Sequence, residues 1–96
     1  MGYTRKSSGS ITAQNTGIDA MDVTNALSIS ISGTWVATVY LQRKHDGTNW
    51  RDVTSYTANI EDTIEDPVGA QYRLFVKTGG FTSGTVECLL LADNAV

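Results

Sequence analysis

A single small β-sandwich is the fold class this chain predicts, and three observations predict it. Apolar and polar residues alternate in several short runs, most cleanly Leu27, Ile29 and Ile31 against Ser28, Ser30 and Ser32, which is the pattern of a strand with one buried face. Turn formers punctuate those runs at Ser32-Gly33, Asp46-Gly47, Pro67 with Gly69, and Gly79-Gly80. No segment sustains a 3.6-residue period, and the sole helical candidate is a turn near Asp19 to Asn25. The expectation is all-β: about seven or eight short antiparallel strands, Ig-like or jelly-roll-like, with an extended N-terminal arm.

Residues 1–10 are polar, rich in Ser and Gly, and charged only at Arg5 and Lys6, which reads as an arm outside the core. Residues 11–96 are the sandwich domain, opening with a short edge strand from Ser10 to Ala13 and then the Leu27 to Ser32 strand. From Trp35 to Lys44 one strand places Trp35, Ala37, Val39 and Leu41 on the buried side. Asp46-Gly47 supplies the positive-φ residues of a hairpin turn, and the return strand runs from Trp50 to Thr57. A two-residue loop there sets Leu41 opposite Asp52; a three-residue loop with a glycine bulge sets it opposite Val53, the better match for a core face. That register puts Trp50 near Gln42 and Lys44 on the outer face, as a contact residue; a bulge that twists the strand would instead make Trp50 a cap on the core. A short strand at Asp62 to Glu65 follows. The next, from Gln71 to Lys77, sets Tyr72, Leu74 and Val76 against Arg73, Phe75 and Lys77, and Thr85 to Leu91 closes the domain.

Composition excludes several functions. Ten acidic and seven basic residues give a net charge of −3, whereas a duplex-binding protein needs a basic stripe to displace counterions. No apolar run approaches the roughly 18 residues of a membrane span, and residues 1–10 are not a signal peptide. The single cysteine, Cys88, precludes an intrachain disulfide and reads as a small buried hydrophobe within Val86 to Leu91.

Catalytic patterns are missing. His45, the only histidine, falls at the hairpin tip without a nucleophile beside it. One histidine and one cysteine make no zinc site. Glu61, Asp62, Glu65 and Asp66 lack the spacing of a calcium loop and read as a solvated acidic edge that resists strand-to-strand aggregation. Gly79-Gly80 and Gly84 precede no helix and are not a phosphate loop. Tyr40, Tyr56, Tyr72 and Phe75 read as core or sheet-face residues. The chain is expected to be non-enzymatic, with no cofactor and no metal.

The runs Ser30-Ile31-Ser32-Gly33-Thr34-Trp35 and Thr38-Val39-Tyr40-Leu41-Gln42-Arg43, then Asp46-Gly47 and Trp50, with Gln71-Tyr72-Arg73-Leu74 and Ser83-Gly84-Thr85-Val86, span most of Leu27 to Leu91. This set resembles small β-sandwich virion proteins of tailed bacteriophages, in particular head decoration or cement proteins. The resemblance implies a structural protein on the outer face of the capsid, assembled in the host cytoplasm. Its implied partners are the major capsid protein and neighbouring copies of itself, often as a homotrimer, with neither nucleic acid nor membrane. The arm with Tyr3, Arg5 and Lys6 is expected to lie on the capsid lattice or on a neighbouring copy, the cations pairing with capsid carboxylates and Tyr3 supplying apolar area. The alternative is a tail or fibre module that binds host-surface carbohydrate, with Trp50 as the sugar platform beside the loop from Gly79 to Gly84.

Overall fold

Alternation along the strands sets the layers. The computed structural model describes residues 5–44 and 46–93, so Tyr3 and His45 lie outside the described residues. The strands are β1 (Arg5–Ile11), β2 (Thr16–Gly17), β3 (Met21–Val23), β4 (Ala26–Ser32), β5 (Trp35–Ala37), β6 (Val39–Lys44), β7 (Arg51–Tyr56), β8 (Ile60–Glu65), β9 (Ala70–Val76), β10 (Phe81–Gly84) and β11 (Val86–Asp93). The first sheet runs β1-β11-β4-β8 and the second β2-β9-β6-β7, with β3 also on β9; β5 and β10 form a separate pair. All pairings are antiparallel.

Leu27, Ile29 and Ile31 of β4 and Leu90 of β11 meet Leu41 of β6 and Tyr72, Leu74 and Val76 of β9 in one core. Each such aliphatic side chain contributes about 1.5–3 kcal/mol by leaving water. The serines of β4, Arg73 and Phe75 of β9, and Lys77 just past its end fall on the outer faces, as alternation requires.

Several local expectations are corrected. Arg5 to Ser10 are not a free arm: they belong to β1, which pairs with β11 along its length and buries Ser7 and Ile11. The serine-rich composition hid this strand, because small residues suit a strand packed closely on its neighbours: a Cβ on Gly9 would stand 3.1 Å from Ile18. The helical candidate near Asp19 to Asn25 is strand β3, with Met21 and Val23 buried against the core. The stretch from Trp35 to Lys44 is two strands. At Thr38 the chain leaves the β10 pair, where its N–H still bonds Gly80 O at 2.8 Å, and enters the second sheet. Gly79 to Gly84 is not all loop, since Phe81–Gly84 is β10; Gly84 has φ of 91°, and a Cβ there would collide with the Thr34 carbonyl.

The hairpin keeps the expected register only near its tip. Gln42 pairs with Asp52 and Arg43 with Arg51, then a bulge at Val53 shifts Leu41 onto Thr54.

Strand β8 is a sheet edge, as expected of the acidic cluster, but Asp66 beyond it is buried. Its carboxylate accepts the Tyr72 hydroxyl at 2.7 Å and the Val68 and Gly69 amides at 3.2 and 3.0 Å. The turn at Pro67 is thereby pinned to the second sheet. Asp66→Ala removes both acceptor oxygens from these donors and is expected to destabilise the fold by about 2–3 kcal/mol. Urea unfolding checks this as a lower midpoint with an unchanged slope.

Candidate functional site

The outer face of the second sheet carries the densest set of ordered polar and aromatic side chains. Strands β6 and β9 set Tyr40 beside Phe75, Gln42 beside Arg73 and Lys44 beside Gln71. Trp50 reaches the same face through the hairpin turn. There Asp46 accepts the Thr48 and Asn49 amides, both at 2.8 Å, and the Asn49 side-chain amide at 3.2 Å. Gly47, at φ of 76°, supplies the left-handed conformation the turn needs.

Arg73 is the hub. Its guanidinium carbon lies 4.3 Å from the ring centres of both Trp50 and Phe75, and Lys44 Nζ lies 4.8 Å from that of Trp50. Arg73 Nε donates to Gln42 Oε1 at 2.8 Å, and Gln42 Nε2 donates to Asp52 Oδ1 at 3.1 Å. Lys77 Nζ closes the series on Asp52 Oδ2 at 2.5 Å while sitting 4.2 Å over the Tyr40 ring. Burial lowers the Arg73 pKa. The hydrogen bond from Lys77, then that from Gln42, holds Asp52 below the usual carboxylate range, and the same bond raises Lys77. Individually, exposed cation–π contacts contribute about 0.5–1 kcal/mol. Jointly they fix the rotamers of long side chains that are mobile on most surfaces.

Trp50 is therefore a half-buried member of this face and stands beside Gln42 and Lys44 rather than capping the core. Its ring is already covered by cations, so a sugar stacking there would have to displace Arg73 or Lys44. Arg5 and Lys6 are exposed at the start of β1 in the other sheet, and the fold does not bring them to Trp50. They line an open groove of about 630 Å³ shared with Asp19, Asp22 and Gln71. The sequence reading passed over Arg73, Phe75, Lys77 and Gln42 as site residues. Their outward direction was legible from alternation along the Trp35–Lys44 and Gln71–Lys77 runs, but the register that joins β9 to β6 was not.

No catalytic arrangement comes together among these groups. Cys88 is buried, and burial pushes its thiol pKa up to about 12. Burial, then the bond to Asp62, likewise pushes the Tyr56 phenol up to about 12. Among the described residues no three His, Cys, Asp or Glu side chains converge to hold a metal ion. No helix of the described residues is long and apolar enough to cross a membrane.

The turn that presents Trp50 depends on pH. Its backbone and side-chain hydrogen bonds lower the Asp46 pKa from 3.8 to about 2. A depressed carboxylate stabilises the fold above its unfolded pKa and loses that contribution as pH falls through the folded one. Between about pH 4 and about pH 2, the Thr48 and Asn49 amides are expected to lose hydrogen-exchange protection; in Asp46→Ala that protection is low at either pH. No protein-family model matches the chain, and neither a curated protein nor a solved structure is detectably similar to it.

Proposed function

We propose that the protein is a non-enzymatic virion structural protein, a decoration protein that binds the outer face of a tailed-phage head and stabilises it in many copies. The observation that supports this reading is the β1 margin. Among the described residues no strand pairs with the outer edge of β1, and Arg5 and Lys6 stand exposed there beside an open polar groove. A free edge flanked by cations suits an extended or acidic segment of a protein partner, with main-chain bonds giving affinity and the cations giving orientation. Modest contacts of this size become strong through multivalency on a lattice. Carbohydrate binding at Trp50 is the weaker reading, because Arg73 and Lys44 already occupy that ring.

Removing residues 1–8 is a poor test, since it strips most of β1 from β11 and takes away buried Ser7. The double variant Arg5→Glu with Lys6→Glu changes exposed side chains and is expected to alter stability by no more than about 0.5 kcal/mol. Mixed with phage heads that lack the protein, the wild-type chain should give regular density on the capsid surface by cryo-electron microscopy, and the double variant should give none. Full occupancy by the variant would remove the β1 margin as the contact; absence of wild-type density from the head would refute the decoration role.

A further inference from the structure

The two outer faces of the sandwich carry opposite charge. On the first sheet, Glu61 and Glu65 of β8 and Glu87 and Asp93 of β11 are exposed on the outward side, around half-buried Leu89 and Leu91. Lys6 is the only cation on that side among the described strands. On the second sheet the outward side presents Lys44, Arg73 and Lys77 with their aromatic partners. Its carboxylates are Asp52, already bound to Lys77, and Asp22 at the β3 margin.

Arg73 carries a guanidinium whose outer end has no acceptor among the described residues. Gln42 takes Nε, and two rings hold the guanidinium plane. A planar fork with its rotamer already fixed binds a carboxylate bidentately at little further entropic cost. The acidic face lies back to back with it across a molecule whose extents are 40 × 30 × 17 Å. A 40 by 30 Å face has room for the roughly 800 Å² that each partner contributes to a standard interface.

We infer that the Arg73 face of one copy docks on the acidic Leu89–Leu91 face of a second copy of this chain. The contact is heterologous: each copy offers a different face, so association propagates into a ring or a filament instead of stopping at a two-fold dimer. Leu89 and Leu91 supply the apolar centre, with Glu61 across the sheet and Glu87 along β11 placed to meet the guanidinium and the two lysines. The net charge of −3 opposes association as a whole, so the complementary faces set the orientation in which two copies meet. The inference goes beyond the capsid reading and needs no capsid.

Sedimentation of the purified chain across a dilution series tests it. Self-association should weaken at least about tenfold as salt rises from about 0.01 M to about 1 M, where screening shortens from about 30 to about 3 Å. Arg73→Ala spoils one face and Leu89→Lys the other, so each variant alone should be monomeric, with an unchanged circular dichroism spectrum. Mixed, each retains the face the other lacks, and a one-to-one heterodimer should form and grow no further. Arg73→Lys, which keeps the charge without the fork, should retain partial association. A wild-type monomer at every concentration and salt, association that strengthens with salt, association that survives in Arg73→Ala, or a mixture that stays monomeric would each overturn the inference. Loss of capsid binding in the β1 variant with self-association intact would bear on the decoration role alone.

Discussion

A two-layer sandwich can hide only one face of each sheet, and the rest of this structure follows from how the other two faces are managed. The inner faces are conventional, with alternate Leu, Ile and Val side chains of β4, β6, β9 and β11 meeting in one core. The outer faces are handled in opposite ways. The first sheet surrounds half-buried Leu89 and Leu91 on its outer side with serines hydrogen-bonded to glutamates: Ser10 to Glu87, and Ser30 to Glu61. The second covers its outer side with large rings and cations locked together, so that even outward-pointing Gln42 is buried. One face is thin and acidic; the other is thick, cationic and held together by side-chain contacts.

Those contacts are what make the second face more than a coat. Lysine and arginine normally surrender about 1.5–2 kcal/mol of rotamer freedom when immobilised at an interface. Here much of that ordering has occurred on folding, through the continuous path from Lys77 to Asp52, Gln42 and Arg73 and on to Trp50 and Phe75. Asp46 belongs to the same arrangement although it is remote from the rings, because its turn delivers Trp50. The hairpin tip and the sheet face are thus coupled through one tryptophan.

What could be read in advance divides along the line between local and long-range information. The alternation of β4 and β9, the Asp46-Gly47 turn and the acidic β8 edge are written in neighbouring residues, and they appear where expected. Strand β1 was missed because Arg-Lys-Ser-Ser-Gly-Ser has no apolar period; it is a strand only because β11 pairs with it. Likewise Met21-Asp22-Val23 is too short to declare itself without β9. The bulge at Val53 and the meeting of Arg73 with Trp50 depend on registers between strands that no local pattern specifies. Among adjacent strands in the sheets, only β6 and β7 are consecutive in sequence. A fold built from distant pairings hides its surface chemistry more thoroughly than its core, since core positions need only be apolar while surface networks need particular neighbours.

The sheet edges bear on the same point. A free strand edge is an open invitation to uncontrolled pairing, yet β8 blunts its own: the Asp62 carboxylate accepts the Thr63 N–H at 2.9 Å and, through its other oxygen, the Tyr56 hydroxyl at 3.1 Å, tying the β8 edge to β7. The side chain therefore satisfies an edge donor and closes that flank of the sandwich together. With one edge donor taken up and Asp62 bound to β7, edge-to-edge addition at β8 is less favourable than at a bare edge. Contacts between charged faces are reversible and salt-tunable, whereas main-chain pairing between exposed edges tends toward irreversible aggregation. A chain of 96 residues buries a modest share of its surface by itself and gains most from an assembly mode of the first kind, since partners then cover surface without competing for the strands that build the core.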